Sequence, residues 1–148
     1  MSLINAKGLQ DADGDTSFPT IPAGKYRFRV TKVEDKVTKS LEENPDAKYP
    51  SCASWSFTCR VQSDDEAEAK VTLFNYCILP HTDMAPDQYQ WCLNNLKHFM
   101  LACAVESEGD EIDSADFMGC EFDGMVIERT GTDGKPRNEL KDTMPVED

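Results

Sequence analysis

The chain has 148 residues, enough to bury one sizeable core, and we predict a single folded domain. Its net charge of -13 argues against passive adsorption to DNA or to an anionic membrane surface. That charge is uneven, because residues 24–60 hold eight Lys and Arg against five Asp and Glu, while residues 61–148 hold six against twenty.

Cysteine and histidine usage indicates the cellular setting. The six cysteines include no Cys-x-x-Cys pair and mostly fall at apolar positions, so we predict free thiols in the core of a cytoplasmic protein. Only two histidines are present, and we expect no zinc site, no other metal and no cofactor. No segment has the pattern of a secretion signal or the length of a membrane-spanning helix, so we expect no membrane partner.

Residues 1–23 are rich in Asp, Gly and Pro and are predicted to form a flexible lead-in. Within them, Asp11 to Asp15 begin like a calcium-binding loop. Glycine, however, comes at the fourth loop position instead of the sixth, and Pro22 stands where that loop needs glutamate. We interpret the segment as a solvated acidic turn.

The first predicted strand is Lys25–Val33, in which apolar and basic side chains alternate. One face carries Lys25, Arg27 and Arg29 at a spacing of roughly 6.5 to 7 Å, close to the phosphate spacing of an extended single strand. The same stripe also suits a solvated sheet edge that Lys and Arg protect from aggregation. The following Glu34–Pro50 lacks apolar periodicity and is predicted to form a long loop.

Ser51–Leu79 is predicted to form a hairpin of two strands joined by a turn at Gln62–Ala69. The core face of the first strand consists of alternate residues: Trp55, Phe57, Cys59 and Val61. The second strand, Lys70–Leu79, is apolar on both faces, and one face presents Phe74 and Tyr76. Since a barrel strand buries only one face in the interior, these rings must be covered by the 36–50 loop, covered by a partner subunit, or left open for bases.

A helix is predicted over Pro86–Val105, with Thr82 or Asp83 as its N-cap. Apolar residues recur there at steps of three and four, which predicts one buried stripe: Tyr89, Cys92, Leu93, Leu96, Met100 and Cys103. The acidic connector Glu106–Asp116 follows the helix, and we interpret it as solvated.

The last part of the chain is predicted to form a second hairpin. A strand at Cys120–Thr130 leads into an Asp-Gly turn at Thr132–Lys135, and a short strand at Arg137–Leu140 returns. Five strands with a helix between the third and fourth match the chain order of the OB-fold, a small barrel that binds oligonucleotides. We therefore predict a mainly β protein with a five-stranded antiparallel OB-fold-like barrel over residues 24–140 and an acidic tail at 141–148.

Six short segments carry a resemblance to known proteins: Pro22–Val30, Trp55–Cys59, Leu73–Tyr76, Leu96–Cys103, Phe117–Gly119 and Gly134–Leu140. Over residues 20–142 the chain resembles a family of small bacteriophage proteins that are encoded beside recombination and replication genes and are regarded as single-stranded DNA-binding. The resemblance implies partners among phage or host replication and recombination proteins, and a location in the host-cell cytoplasm. The acidic connector departs from the pattern, and the tail lacks the terminal Phe through which many single-strand binders recruit partners.

These patterns predict a single-stranded DNA-binding protein that stacks bases on aromatic rings and pairs phosphates with the basic part of the chain. The residues expected to contact DNA are Lys25, Arg27, Arg29, Lys48, Tyr49, Arg60, Phe74, Tyr76 and Arg137. We expect homo-oligomers, with a dimer as one form.

Two other classes of function stay open at this point. One is an acidic DNA mimic that inhibits a host enzyme, with the carboxylates of residues 106–123 as phosphate substitutes. The other is a phage structural or assembly protein. We do not expect an enzyme, because the sequence has no Gly-x-Ser-x-Gly, no phosphate-cradling Gly-rich loop and no His-x-x-x-His pair.

Overall fold

The computed structural model describes residues 2–14, 19–37 and 53–147. Its main elements in chain order are β1 (Gly24–Val37), β2 (Ala53–Val61), the one-turn helix α1 (Glu66–Ala69), β3 (Thr72–Ile78), helix α2 (Pro86–Ala102), β4 (Glu121–Thr130) and β5 (Pro136–Met144). Single turns of 3-10 helix lie at Leu9–Asp11 and Ser114–Phe117.

The five strands form one antiparallel sheet in the order β3-β2-β1-β4-β5. β1 organises this sheet, because residues 28–37 pair with β2 while residues 24–29 pair with β4. Contacts between β3 and β5 bring the two outer edges together, so the sheet forms a nearly closed barrel. The predicted mainly β class and OB-like architecture, with a helix between the third and fourth strands, are confirmed.

Aromatic side chains fill the barrel interior. The ring centroid of Phe57 lies 4.7 Å from that of Phe99 on α2 and 4.8 Å from that of Phe117. The predicted core face of β2 is buried, as the alternation requires. Most of the predicted stripe of α2 is also buried, but Leu93 is 37% exposed, and Phe99, which the stripe did not include, is 1% exposed.

Three predicted details are wrong: the end of the first strand, and the N-cap and the end of the helix. The strand predicted to end at Val33 continues to Val37, because Glu34–Val37 pair with β2, and the rest of the predicted loop lies outside the described residues. The helix ends at Ala102 instead of Val105, and although it begins at Pro86 as predicted, its N-cap is Ala85, which supplies no side-chain cap, instead of Thr82 or Asp83. A turn occupies those positions, where the Met84 N–H donates to the carbonyl oxygen of His81 at 3.0 Å.

Contacts extend the folded unit on both sides of residues 24–140. Ile21 is buried, and its N–H donates to Asn138 Oδ1 at 2.8 Å while its carbonyl oxygen accepts from Asn138 Nδ2 at 2.9 Å. β5 runs four residues beyond Leu140 and pairs with β4 up to Met144. Across the described ranges, no helix combines the length and the apolar character that crossing a membrane requires.

Candidate nucleic-acid interface

The predicted basic stripe lies on the outer face of β1 next to β4, where each cation meets a carboxylate. Arg27 Nε donates to Asp123 Oδ1 at 2.7 Å, and Arg29 Nη2 donates to Glu121 Oε1 at 2.8 Å. Lys25 pairs with Glu147, whose carbonyl oxygen also accepts from Arg27 Nη2 at 2.9 Å. We call this surface the ion-paired face, and its members are Lys25, Arg27, Arg29, Glu121, Asp123 and Glu147.

Asp123 lies at the centre of the ion-paired face and is 4% exposed. Its Oδ2 accepts from the backbone N–H of Glu147 at 3.0 Å. Burial opposes ionisation, but the hydrogen bonds from Arg27 and Glu147 and the charges of Arg27 and Lys25 outweigh it and lower the pKa of Asp123. The carboxylates match the cations in number, so this face carries no net charge with which to attract phosphate.

A different surface forms on the second half of β1, where its neighbour is β2. A β-bulge between Val30 and Lys32 shifts the alternation by one residue and keeps the cations that follow it on the outer face. Lys32 lies opposite Thr58, which in turn lies opposite Phe74 of β3. The same register continues along the three strands. We call the outer surface of these three paired strands the aromatic face. Its members are Lys32, Glu34, Lys36, Ser54, Ser56, Thr58, Arg60, Thr72, Phe74, Tyr76 and Ile78.

Phe74 and Tyr76 project from the aromatic face and are 51% and 56% exposed. Their ring centroids lie 6.3 Å apart, and their planes differ by 23°. The middle strand next to them carries only small hydroxyl side chains at Ser54, Ser56 and Thr58. Ser54 and Ser56 are themselves buried, at 6% and 2% exposed. The two rings therefore stand outside the barrel core, nearly parallel, and offer surfaces on which nucleotide bases can stack.

Cations outnumber carboxylates on the aromatic face. Its single acidic residue, Glu34, lies 3.1 Å from Lys32, and both side chains are exposed, so that this pair stabilises the fold by less than about 1 kcal/mol. Arg60 Nε donates to the carbonyl oxygen of Ala69 at 2.8 Å. Among the described residues, no carboxylate forms an ion pair with Lys36 or Arg60. This face therefore has positive charge to offer an anionic backbone.

The predicted DNA-contacting residues are thus distributed over separate places. Arg60, Phe74 and Tyr76 lie together on the aromatic face. Lys25, Arg27 and Arg29 of β1 belong to the ion-paired face, and Arg29 lies where the two faces meet, opposite Arg60. Arg137 lies apart, on the β4–β5 hairpin, where its Nη2 is 2.9 Å from Asp133 Oδ2. The two remaining members of the predicted set, Lys48 and Tyr49, lie outside the described residues.

Sequence reasoning missed Lys32 and Lys36. The predicted strand ended at Val33, and a strict two-residue alternation turns Lys32 and Lys36 to the face opposite Arg29. The bulge reverses that assignment, and local sequence carries no clear signal for a bulge. Glu34, Asp35 and Lys36 are three consecutive charged residues, so no alternation of charged and apolar residues signals that the strand continues to Val37.

The cysteines and histidines of the described chain lie away from the aromatic face. Burial raises the pKa of Cys59 and of Cys77 to about 12, so both thiols are protonated at neutral pH. His98 Nε2 lies 2.9 Å from Asp142 Oδ1 at the protein exterior. In residues 2–14, 19–37 and 53–147, no group of three or more His, Cys, Asp or Glu side chains is arranged to hold a metal ion.

No protein-family model matches the chain, and no curated protein is significantly similar to it in sequence. The resemblance to the phage family therefore stays a prediction, and the candidate interface rests on geometry alone.

Proposed function

We propose that this protein binds single-stranded DNA across the aromatic face. The supporting observation is the exposed, nearly parallel pair Phe74 and Tyr76 on the same face as Lys32, Lys36 and Arg60. Base stacking on such rings is worth about 1 to 3 kcal/mol per base. It needs no particular base, because every base has a flat face.

The arrangement of the three strands suits a single strand better than a duplex. β1 and β3 are separated by two strand spacings, roughly 9.5 Å, so bases on the rings of β3 and phosphates near Lys32 and Lys36 occupy two parallel tracks. A duplex keeps its bases stacked inside and cannot use the rings. The remainder of the molecule is acidic, since the chain as a whole has a net charge of -13 although the aromatic face is positive, and it repels the denser charge of a duplex.

The DNA-mimic alternative has less support. The carboxylates of residues 106–116 border a cleft whose walls also include Trp55 and Ile112. A concave, partly apolar surface is shaped to receive a ligand, whereas a mimic of DNA must present its charges to an enzyme that surrounds it.

The proposal is tested by fluorescence anisotropy with labelled oligothymidylate, a duplex of mixed sequence and oligouridylate, each at a low and a high salt concentration. We expect saturable binding of oligothymidylate that weakens with salt, and much weaker binding of the duplex. Absence of oligothymidylate binding at low salt, or equal binding of the duplex, would contradict the proposal. Equal binding of oligouridylate would extend it to single-stranded RNA.

A further inference from the structure

A concave surface separate from the aromatic face lies where β1, β2 and α2 meet the connector at 106–116. It consists of two adjoining clefts, with volumes of about 810 Å³ and about 610 Å³, that share Trp55, Asp110 and Ile112 in their walls. We call the two clefts together the Trp55 groove. DNA binding at the aromatic face makes no use of this groove.

The smaller cleft of the Trp55 groove is lined by more apolar than polar side chains, and its two charged residues are Lys97 and Asp110. Side chains of α2 form one wall, including Tyr89, Leu93 and Met100, and Leu79 at the end of β3 contributes to another. Leu93 is 37% exposed, so its side chain is accessible to an incoming ligand. A large apolar side chain placed in this cleft leaves water for a mostly hydrocarbon surface, which is favourable.

The larger cleft is strongly acidic. Asp35 of β1 stands on one side, and the connector contributes all six of its carboxylates to the same cleft. None of these side chains forms an ion pair with any residue that the structure describes. Like charges gathered around one cleft repel one another, and a cationic ligand relieves that repulsion.

The connector holds its shape through local hydrogen bonds. Glu108 and Glu111 exchange two backbone hydrogen bonds, each 2.9 Å long. Ser107 Oγ donates to the carbonyl oxygen of Gly109 at 2.8 Å, and the side chain of Asp113 accepts from the N–H of Ala115 at 2.9 Å. The acidic wall is therefore formed before a ligand arrives, which lowers the entropic cost of binding.

We propose that the Trp55 groove docks a basic segment of a partner protein. A large apolar side chain of that segment would occupy the cleft beside Leu93, and its Lys or Arg side chains would face the connector. Charge complementarity selects this occupant, because the groove repels nucleic acid and the net charge of -13 disfavours a second copy of the chain. The inference does not depend on DNA binding at the aromatic face.

The test uses the full chain with the substitution Trp91→Phe, which leaves Trp55 as the remaining tryptophan of two. The probe is a short synthetic peptide of alternating Lys and Leu, compared with one in which Glu replaces Lys and one in which Ser replaces Leu. We expect the Lys-Leu peptide to change Trp55 fluorescence saturably, the Lys-Ser peptide to bind about tenfold more weakly, and the Glu-Leu peptide not to bind. No binding of the Lys-Leu peptide, or equal binding of the Lys-Ser peptide, would overturn the proposal.

Matched variants locate the binding surface. The triple change Glu108→Gln, Asp110→Asn and Glu111→Gln should weaken Lys-Leu peptide binding about tenfold, and Leu93→Asn should do so to a similar extent. The controls neutralise exposed carboxylates elsewhere (Asp64→Asn, Glu66→Gln and Glu128→Gln together) or replace an exposed leucine of α2 outside the groove (Leu101→Asn).

Both controls should bind the peptide like the parent, and thermal unfolding checks that every variant folds. Equal weakening by the controls would overturn the proposal, since binding would then follow overall charge or helix hydrophobicity. A dimer of the free chain that Leu93→Asn abolishes, measured by sedimentation, would overturn it in favour of self-association. Affinity for oligothymidylate should be the same in all of these variants, which separates the two surfaces.

Discussion

The two halves of β1 carry cations on the same outer face, yet they have opposite properties. Beside β4, Arg27 and Arg29 meet carboxylates that the register places directly opposite them. Beside β2, Lys32 and Lys36 lie next to Thr58 and Ser54, which carry no charge. The neighbouring strand therefore decides whether a cation of β1 stabilises the fold or remains available to a ligand.

The difference has an energetic basis. A phosphate that recruits Arg27 must displace Asp123, which is almost fully buried and would lose its charged partner. A phosphate that recruits Lys36 or Arg60 breaks no ion pair among the described residues, and both side chains are exposed. The ion-paired face is thus part of the scaffold, and the aromatic face is the candidate site.

The largest effect is expected from removing the two rings of the aromatic face. The double change Phe74→Ala and Tyr76→Ala should reduce oligothymidylate affinity by about 2 to 6 kcal/mol, since each stacked base contributes about 1 to 3 kcal/mol. The free energy of unfolding should fall by less than about 2 kcal/mol, because both rings are half exposed and each cross-strand contact contributes at most about 1 kcal/mol. Anisotropy and thermal unfolding measure the two quantities.

A buried phenylalanine provides the matched control for those rings. Phe57 is fully buried in the barrel interior, and Phe57→Ala should lower the free energy of unfolding by about 3 to 5 kcal/mol. If the double change instead lowered stability as much as Phe57→Ala while folded protein still bound DNA normally, the rings would belong to the core and not to the site.

The next largest effect concerns the centre of the ion-paired face. Asp123→Asn should lower the free energy of unfolding by about 1 to 3 kcal/mol near neutral pH, because Arg27 loses its charged acceptor. The folded state lowers the pKa of Asp123, so its contribution is present above the unfolded pKa, near 4, and is lost as the pH falls through the folded value. Denaturation from pH 7 down to acid should show the parent and the variant converging below about pH 4. Glu121→Gln, at an exposed pair, should cost less than about 1 kcal/mol.

Salt dependence tests the two halves of β1 against each other. The triple change Lys32→Ala, Lys36→Ala and Arg60→Ala should reduce the slope of log affinity against log salt by about 2, at about 0.7 for each lost phosphate contact. The double change Lys25→Ala and Arg29→Ala should leave the slope nearly unchanged, because both cations are already paired. Equal changes of slope in the two variants would contradict the distinction between the faces.

The smallest effect is expected at the end of the chain, where Glu147 pairs with Lys25. Glu147→Gln removes an exposed ion pair and should change the free energy of unfolding by less than about 1 kcal/mol. Oligothymidylate affinity should not change, because the ion-paired face lies outside the proposed site. A clear rise in affinity on this change would show that Lys25 can contact DNA once it is released.

The sequence predicts which side chains of a strand share a face, because that depends on neighbouring residues. It does not predict contacts between residues that are far apart in the chain. The two-residue alternation along each strand assigns Phe57 to the barrel interior and Phe74 to the face that points away from it. The order of strands and helix along the chain indicates the barrel. The pairing of Arg27 with Asp123 joins residues 96 positions apart, and nothing in the β1 segment signals it. For the same reason the connector at 106–116 was interpreted as merely solvated, since Asp35 and Trp55 reach it from other strands.

Photo-cross-linking tests the central claim most directly. Oligothymidylate in which bromodeoxyuridine replaces some thymidine is bound to the protein and irradiated, and mass spectrometry identifies the cross-linked residues. Binding across the aromatic face predicts cross-links at Phe74 or Tyr76 of β3 that disappear with unlabelled competitor. Cross-links confined to β4, to the connector or to the exposed side of α2, with none on β3, would contradict it.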